Sequence, residues 1–232
     1  MLFFHWLDVT WELPFGLRAR LASHSEWVVY DEIFVHGEYD RALGLALDVA
    51  AGHDLPIHIV DIGSHVGLFT LRATQQVLER GMGNRQFKIT AVEGNAVLVK
   101  EFQARIFGDN GLSRNVALTH GLVGRRTGQA YLNGDSLFRR EEPAVMVPFV
   151  DLSALLAGAP QIDLLKCDIE GAELLLLENY PDLLRKVNVA VFELHANLCD
   201  TRRCRELLRE YGFAHGETLR RGDPYSLYCA WR

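Results

Sequence analysis

From Ile57 to Gly67 the chain reads IHIVDIGSHVG. Ile57 to Val60 is a short apolar run, the mark of a strand buried on both faces. The seven residues that follow, Asp61-Ile62-Gly63-Ser64-His65-Val66-Gly67, open on an acid and carry two glycines. Glycine at 63 lets the backbone turn sharply and lets a ligand approach the main chain closely. Gly67 permits tight packing of a following helix, and residues 67–78 read as that helix. Strand, glycine loop and helix are the first half of a βαβ unit.

The pattern repeats outward. Residues 87–92 read as a second strand and 97–107 as a second helix. A third, short strand falls at 115–118, a fourth at 162–167 and a fifth at 187–194. Residues 129–132 and 144–150 are strand-like and suit a hairpin or an edge excursion. Asp151 starts a short capped helix, residues 172–184 read as one helix, and 204–211 as another. Residues 212–214 and 226–231 close the chain as strands. Upstream, 25–34 and 39–51 are helical, the second on the stripe Leu43, Leu47, Ala50, with Gly52 as its stop. Residues 1–52 are therefore expected as a helical prelude or lid, packed on a core of residues 53–232 within one domain. The alternation predicts an α/β fold with right-handed crossovers and a mostly parallel sheet. In such a sheet ligands bind beyond the carboxyl ends of the strands. The informative loops are thus those after Val60, Val92, Cys167 and Leu194.

The first loop discriminates among ligands. A dinucleotide site calls for GxGxxG, whose middle glycine makes room for a pyrophosphate. Here His65 holds that position and the spacing is GxxxG. No GxxxxGK[ST] follows, so the loop is not a P-loop. S-adenosylmethionine (SAM) has no phosphate, and Asp61 can face its ammonium directly or through water. The second strand delivers Glu93, whose carboxylate can accept two hydrogen bonds from a ribose diol.

The fourth strand runs into LLKCDIEGAE, residues 164–173. Lys166 and Asp168 share a strand face, and Glu170 lies at the mouth of the next helix, where the dipole favours a carboxylate. Glu173 reads as a salt-bridged helix start. The fifth strand ends in FELH, residues 192–195, with Glu193 and His195 on one face. His195 is the best general-base candidate in the chain, because an ordinary histidine titrates near working pH.

Composition narrows the partners. The formal net charge of −6 implies no basic face, so a nucleic-acid substrate is not expected. Arg202, Arg203, Arg205 and Arg209 stand at helical spacing beside Glu206 and Glu210 and read as a solvated helix face. Cys167, Cys199, Cys204 and Cys229 form no CxxC and read as free thiols in a reducing compartment. There is no signal-peptide pattern and no apolar run of membrane-spanning length, so a cytoplasmic protein without membrane attachment is expected. His5, His24, His36, His53, His58, His120 and His215 show no metal-ligand spacing, so no metal is expected; a carboxylate-bound divalent ion near Asp168 is compatible but not required.

Taken together, YDEIFVHGEYD, IVDIGSHVGLFT, AVEGN, RNVAL, VPFVDLSALL, DLLKCDIEGAE and FELH resemble, in order and spacing, the FkbM family of SAM-dependent methyltransferases. DLLKCDIEGAE is the most specific of them. The resemblance spans roughly residues 31–195. It implies a Rossmann-like class I methyltransferase, a three-layer sandwich with a mostly parallel seven-stranded sheet and an antiparallel last strand. It implies O-methylation of a hydroxylated small molecule such as a sugar, polyketide or other natural product. It implies a cofactor set of Tyr39, Asp61, Gly63, Ser64, His65, Gly67, Glu93, Asn95, Val116 and Asp168, and an acceptor-end set of His195, Asp168 and Glu170, with S-adenosylhomocysteine as co-product. Three positions depart from the family pattern: Gly94 replaces a proline, GSHVG replaces GANIG, and Leu177-Glu178-Asn179 replaces leucine-glycine-alanine. Two rival readings keep the fold: a nucleotide-dependent oxidoreductase and a SAM-binding partner without catalysis. The acceptor and the oligomeric state, a homodimer included, are not specified by the sequence.

Overall fold

The structure is a computed structural model that describes residues 8–132, 145–222 and 225–232. Its first elements are a hairpin of β1 (Val9–Glu12) and β2 (Arg18–Leu21), helix α1 (His24–Tyr30) and helix α2 (Asp40–Ala51). The two helices expected in this prelude are present, and a hairpin that the sequence did not reveal precedes them. Its strands, VTWE and RARL, alternate apolar and polar residues but are only four residues long, too short for a period-2 signal to stand out. α1 is capped by the Ser23 hydroxyl, which accepts from the Glu26 amide at 3.2 Å, and it continues through a wider π turn, Asp31–Val35.

The sheet begins with β3 (Ile57–Ile62), followed by α3 (Leu68–Glu79), β4 (Phe87–Glu93), α4 (Ala96–Phe102) with a π extension over Gln103–Asp109, and β5 (Val116–His120). A separate hairpin, β6 (Gln129–Leu132) and β7 (Val145–Pro148), leads to α5 (Leu152–Leu155). Then come β8 (Ile162–Cys167), α6 (Glu173–Asn179), α7 (Pro181–Leu184), β9 (Val187–His195), α8 (Thr201–Glu210), β10 (His215–Arg221) and β11 (Tyr225–Trp231). The single helix expected at 172–184 is broken at Tyr180. Pro181 lacks an amide proton to continue α6 and instead starts α7, where an N1 proline costs nothing. The strand expected at 212–214 is also corrected: those residues turn, and the strand runs over His215–Arg221. This is a partly exposed edge strand of polar residues, HGETLRR, without the apolar run of a buried strand.

Seven strands form one sheet in the order β10-β11-β9-β8-β3-β4-β5. β3, β4, β5, β8 and β9 pair in parallel, and β11 is antiparallel to both neighbours. The core is double. Ile57, Ile59, Leu164, Val189 and Val191 face α2, α3 and the α4 extension. Val60, Ile62, Leu165, Ala190 and Phe192 face α5 to α8. Alternate residues of each strand serve opposite layers, which makes a three-layer sandwich. The N-terminal segment is part of the first layer: Ala19, Leu21 and Ile33 are buried in it. A buried ion pair locks it there, with Arg105 donating to Glu26 Oε2 at 2.8 Å. The cysteines are all free. Arg203 pairs with Glu206 and Glu210 along α8, as a solvated face should. Among the described residues, no helix is long and apolar enough to cross a membrane.

Candidate active site

Parallel β3, β4, β8 and β9 deliver their carboxyl ends to one rim. Asp61 and Lys166 are register partners on β3 and β8 and point to the same layer. Asp61 is fully buried. Its Oδ2 accepts from Thr70 Oγ1 at 2.8 Å, and its Oδ1 lies 3.5 Å from Lys166 Nζ without a hydrogen bond. Burial raises the Asp61 pKa and Lys166 opposes that rise. Lys166 Nζ also donates to the Gly63 carbonyl at 2.6 Å and stands 3.8 Å from Asp168 Oδ2. Asp61, expected to face an ammonium directly or through water, is a buried acid with a lysine already beside it.

The glycine loop is wrapped closely by its neighbours. Gly63 has φ +73, and a Cβ there would come 1.7 Å from the Asp168 carbonyl oxygen. Gly67, at φ +92, packs against Ile106. His65 also has a positive φ, +50, which turns its amide inward to donate to Glu93 Oε2 at 2.9 Å. The other carboxylate oxygen, Glu93 Oε1, accepts from the Asn95 amide at 2.8 Å. Asn95 in turn caps α4, its Oδ1 accepting from Val97 N at 2.8 Å. Glu93 is therefore fixed by two main-chain donors, one from each loop it separates, and each oxygen keeps a further lone pair. Ser64 Oγ and Asp168 Oδ1 are buried and, like Asp61 Oδ1, have no hydrogen-bond partner among the described residues. Tyr39, at the start of α2, is buried with its ring edge-on to Phe69 at 5.1 Å.

Val116 alone of the expected cofactor residues is not brought here. It pairs with Ile89 at the amino end of β5, buried in the core, whereas Glu93 pairs with His120 at the carboxyl end. The β5 residues that reach the rim are His120 and the Gly121-Leu122 turn after it.

Around Asp168 a second group converges. His195 ends β9, with its side chain 6% exposed. Its Nδ1 is 3.1 Å from Glu173 Oε1, which also accepts from the amides of Ile169 at 3.3 Å and Gly171 at 3.1 Å. Glu173 is the salt-bridged helix start expected, and it also orients the His195 ring. The His195 Nε2 faces Glu170 Oε2 at 3.4 Å and Glu193 Oε1 at 3.7 Å. Glu170 adopts φ +52, followed by Gly171 at +99, which swings its mostly exposed side chain back over the histidine. Burial alone would lower the His195 pKa. The bond to Glu173 and the charges of Glu173, Glu170 and Asp168 outweigh it and hold the imidazole at about 9. In the free protein His195 is thus a cation at neutral pH and not the base poised near 7 that the sequence suggested. Burial and Asp168 push Glu193 up to about 8.

Two contributors came from outside the motifs. Tyr225, the first residue of β11, pairs with His195 in register, with ring centroids 5.8 Å apart. Its hydroxyl donates to Glu32 Oε1 at 3.2 Å, and Arg220 bridges Glu32 at 2.6 Å and Glu38 at 2.5 Å. The π turn after α1 is thereby tied to the β10–β11 hairpin beside the histidine.

The model of the methyltransferase FkbM domain matches residues 61–214, well over half the chain. The chain belongs to the FkbM methyltransferase family. The match begins at Asp61 and takes in the glycine loop, Glu93, LLKCDIEGAE and FELH. Among solved structures, the methyltransferase FkbM from Methylobacillus flagellatus KT shares the fold, with TM-score 0.54 and 14% identity over 76% of this chain and 44% of that one. This FkbM chain therefore spans less than half the length of that protein. A precorrin-6y C5,15-methyltransferase from Geobacter metallireducens GS-15 is similar at 13% identity and TM-score 0.48, covering 83% and 86% of the two chains. No curated protein matches.

Proposed function

We propose that this FkbM-family chain is a SAM-dependent methyltransferase that methylates a hydroxyl of a small molecule such as a sugar, a polyketide or another natural product. The observation that carries the reading is Glu93. Its carboxylate is immobilised by the amides of His65 and Asn95, one on each oxygen. Such a fixed pair of acceptors matches the two hydroxyls of a ribose. The residues around it suit the rest of the cofactor. Asp61 Oδ1, Ser64 Oγ and Asp168 Oδ1 are buried polar atoms without hydrogen bonds among the described residues, and an ammonium with the water beside it would satisfy them. Tyr39, Asp61, Gly63, Ser64, His65, Gly67, Glu93, Asn95 and Asp168 would hold the cofactor.

When bound, SAM supplies a methyl group already activated by its sulfonium, so the protein has mainly to align the reactants. Asp168, at the end of β8, stands between the cofactor loop and the acceptor end, 3.8 Å from Lys166. His195, its ring fixed by Glu173, directs Nε2 at the acceptor end. Glu170 sits at the rim with its side chain 81% exposed and can pass a hydroxyl proton to solvent. Glu32 and Glu38, held by Arg220 of β10 and, for Glu32, by Tyr225 of β11, would border the acceptor on the side of the N-terminal segment.

The test is calorimetric titration with S-adenosylhomocysteine, with Glu93→Ala as control. Micromolar binding that the control abolishes supports the cofactor and its orientation. Well-folded protein that binds NAD(H) and not S-adenosylhomocysteine overturns the reading in favour of an oxidoreductase.

A further inference from the structure

Asp168, Glu193 and His195 come from two different strand ends, yet each offers one ligand atom within 4.8 Å of the others. The sequence separates Asp168 from Glu193 by a helix pair; parallel pairing of β8 with β9 brings them together. Divalent first-row ions bind oxygen and nitrogen at about 2.0–2.2 Å, so two donors on one ion lie roughly 3–4.4 Å apart. Small rotations of the partly exposed Asp168 and Glu193 side chains close that gap.

The histidine supplies an observation independent of the carboxylates. Its side chain is more than nine-tenths buried, and its Nδ1 is taken by Glu173, a fully buried carboxylate anchored by two main-chain amides. Metal-binding histidines are held in this way, with the second nitrogen on a carboxylate so that the first points at the ion. Nε2 stands in ion-pair range of the carboxylates of Glu170, at 3.4 Å, and Glu193, at 3.7 Å, so a divalent ion held there would take the place of its proton. Asp168 Oδ1 is buried and without a hydrogen bond among the described residues. Lys166, the nearest fixed cation, donates to the Gly63 carbonyl and lies 3.5 Å from Asp61 Oδ1, and it reaches Asp168 only through Oδ2, at 3.8 Å, leaving Oδ1 to an ion. Four carboxylates, those of Asp168, Glu170, Glu173 and Glu193, thus surround one imidazole, with Lys166 beside Asp168.

We infer that Asp168, Glu193 and His195 form a binding site for a divalent first-row cation at the acceptor end of the cleft. Two carboxylates and one imidazole make a mixed oxygen and nitrogen set that suits Mn²⁺ or Fe²⁺ and leaves coordination positions open. An acceptor hydroxyl taking one of them would have its O–H bond weakened, and the proton would pass to the carboxylate of Glu170. That role rests on the proposed methyl transfer; the site itself does not.

The probe is Mn²⁺ alone, added to metal-stripped full-length protein and followed by the loss of the free-ion electron paramagnetic resonance signal. Binding with a Kd in the micromolar range is expected. Glu193→Gln should weaken it about 10- to 100-fold, and Glu193→Asp should restore part of it. S-adenosylhomocysteine titrated into the same proteins reports the cofactor site separately. Mn²⁺ binding without S-adenosylhomocysteine binding would overturn the cofactor reading and keep the metal site. Folded wild-type protein that takes up no Mn²⁺ at about 1 mM, a bound only of weak affinity, overturns the metal site, as does a Glu193→Gln variant that binds as wild type.

Discussion

Lys166 Nζ lies 3.5 Å from Asp61 Oδ1, and both side chains are buried. The lysine is the only cationic side chain in ion-pair contact with that carboxylate among the described residues. Removing one partner of a buried pair leaves the other uncompensated, which costs about 3–5 kcal/mol. Lys166→Met is therefore expected to destabilise the fold by about 3 kcal/mol, a fall in Tm of roughly 6–12 °C for a chain of this size. Differential scanning calorimetry decides it: an unchanged Tm would mean that Asp61 is not charged in the folded protein.

Gly63 and Gly81 share a positive φ, +73 and +67, but not their surroundings. A Cβ at 81 meets nothing within 4 Å, and one at 63 meets the Asp168 carbonyl at 1.7 Å. Gly81→Ala should cost about 1 kcal/mol, the conformational penalty alone. Gly63→Ala should cost several times more or prevent folding, because backbone must move. Equal melting temperatures for the two variants would contradict the packing of the loop against β8.

His58 is buried, and its Nε2 is 3.0 Å from Thr90 Oγ1. Burial, helped by Lys88, lowers its pKa to about 4. The unfolded chain takes up this proton near 6.5 and the folded chain near 4, so the histidine favours the fold fully above about pH 6.5 and that contribution is lost as the pH falls toward 4. The shift corresponds to about 3 kcal/mol. Urea denaturation at pH 7 and pH 4.5 should show a smaller loss for His58→Gln than for wild type. Parallel losses would sink the assignment.

Arg220 ties Glu32 and Glu38 to the β10–β11 hairpin while itself partly exposed. An exposed pair contributes about 1 kcal/mol or less, so Arg220→Ala should leave Tm almost unchanged. It should instead raise amide exchange over residues 31–38, read by hydrogen–deuterium exchange mass spectrometry. Exchange there at the wild-type rate would show that the turn is held by its apolar contacts alone.

The legible parts of this chain are those where one local rule acts undisturbed. The apolar runs at Ile57 and Ile162 became buried strands because a strand covered on both faces needs no alternation. Glu93, Asp168 and His195 were legible as neighbours on one rim because they stand at the carboxyl ends of such strands, where topology places ligand sites. Glu193 was legible in part, since alternation places it beside His195, but not its distance to Asp168, which depends on the β8–β9 register. Val116 was misplaced by four residues, from one end of the five-residue β5 to the other. Tyr225 could not be found at all: its partner Glu32 sits in the YDEIFVHGEYD segment, but 193 residues separate the two, and nothing local marks a tyrosine that opens an edge hairpin.

The topology also sets an order of events during synthesis. β3 pairs on one side with β4, some 30 residues on, and on the other with β8, where Asp61 meets Lys166. A ribosome that has made residues up to Leu132 has produced the glycine loop and Glu93, but neither the lysine that neutralises Asp61 nor the strand that covers the far edge of β3. Until β8 emerges, that edge is open to pairing with another chain, and closing it spans a long loop, which is slow. The growing chain is therefore most exposed to aggregation between the completion of β5 and the arrival of β8, and a chaperone or a translational pause would have its greatest effect in that interval.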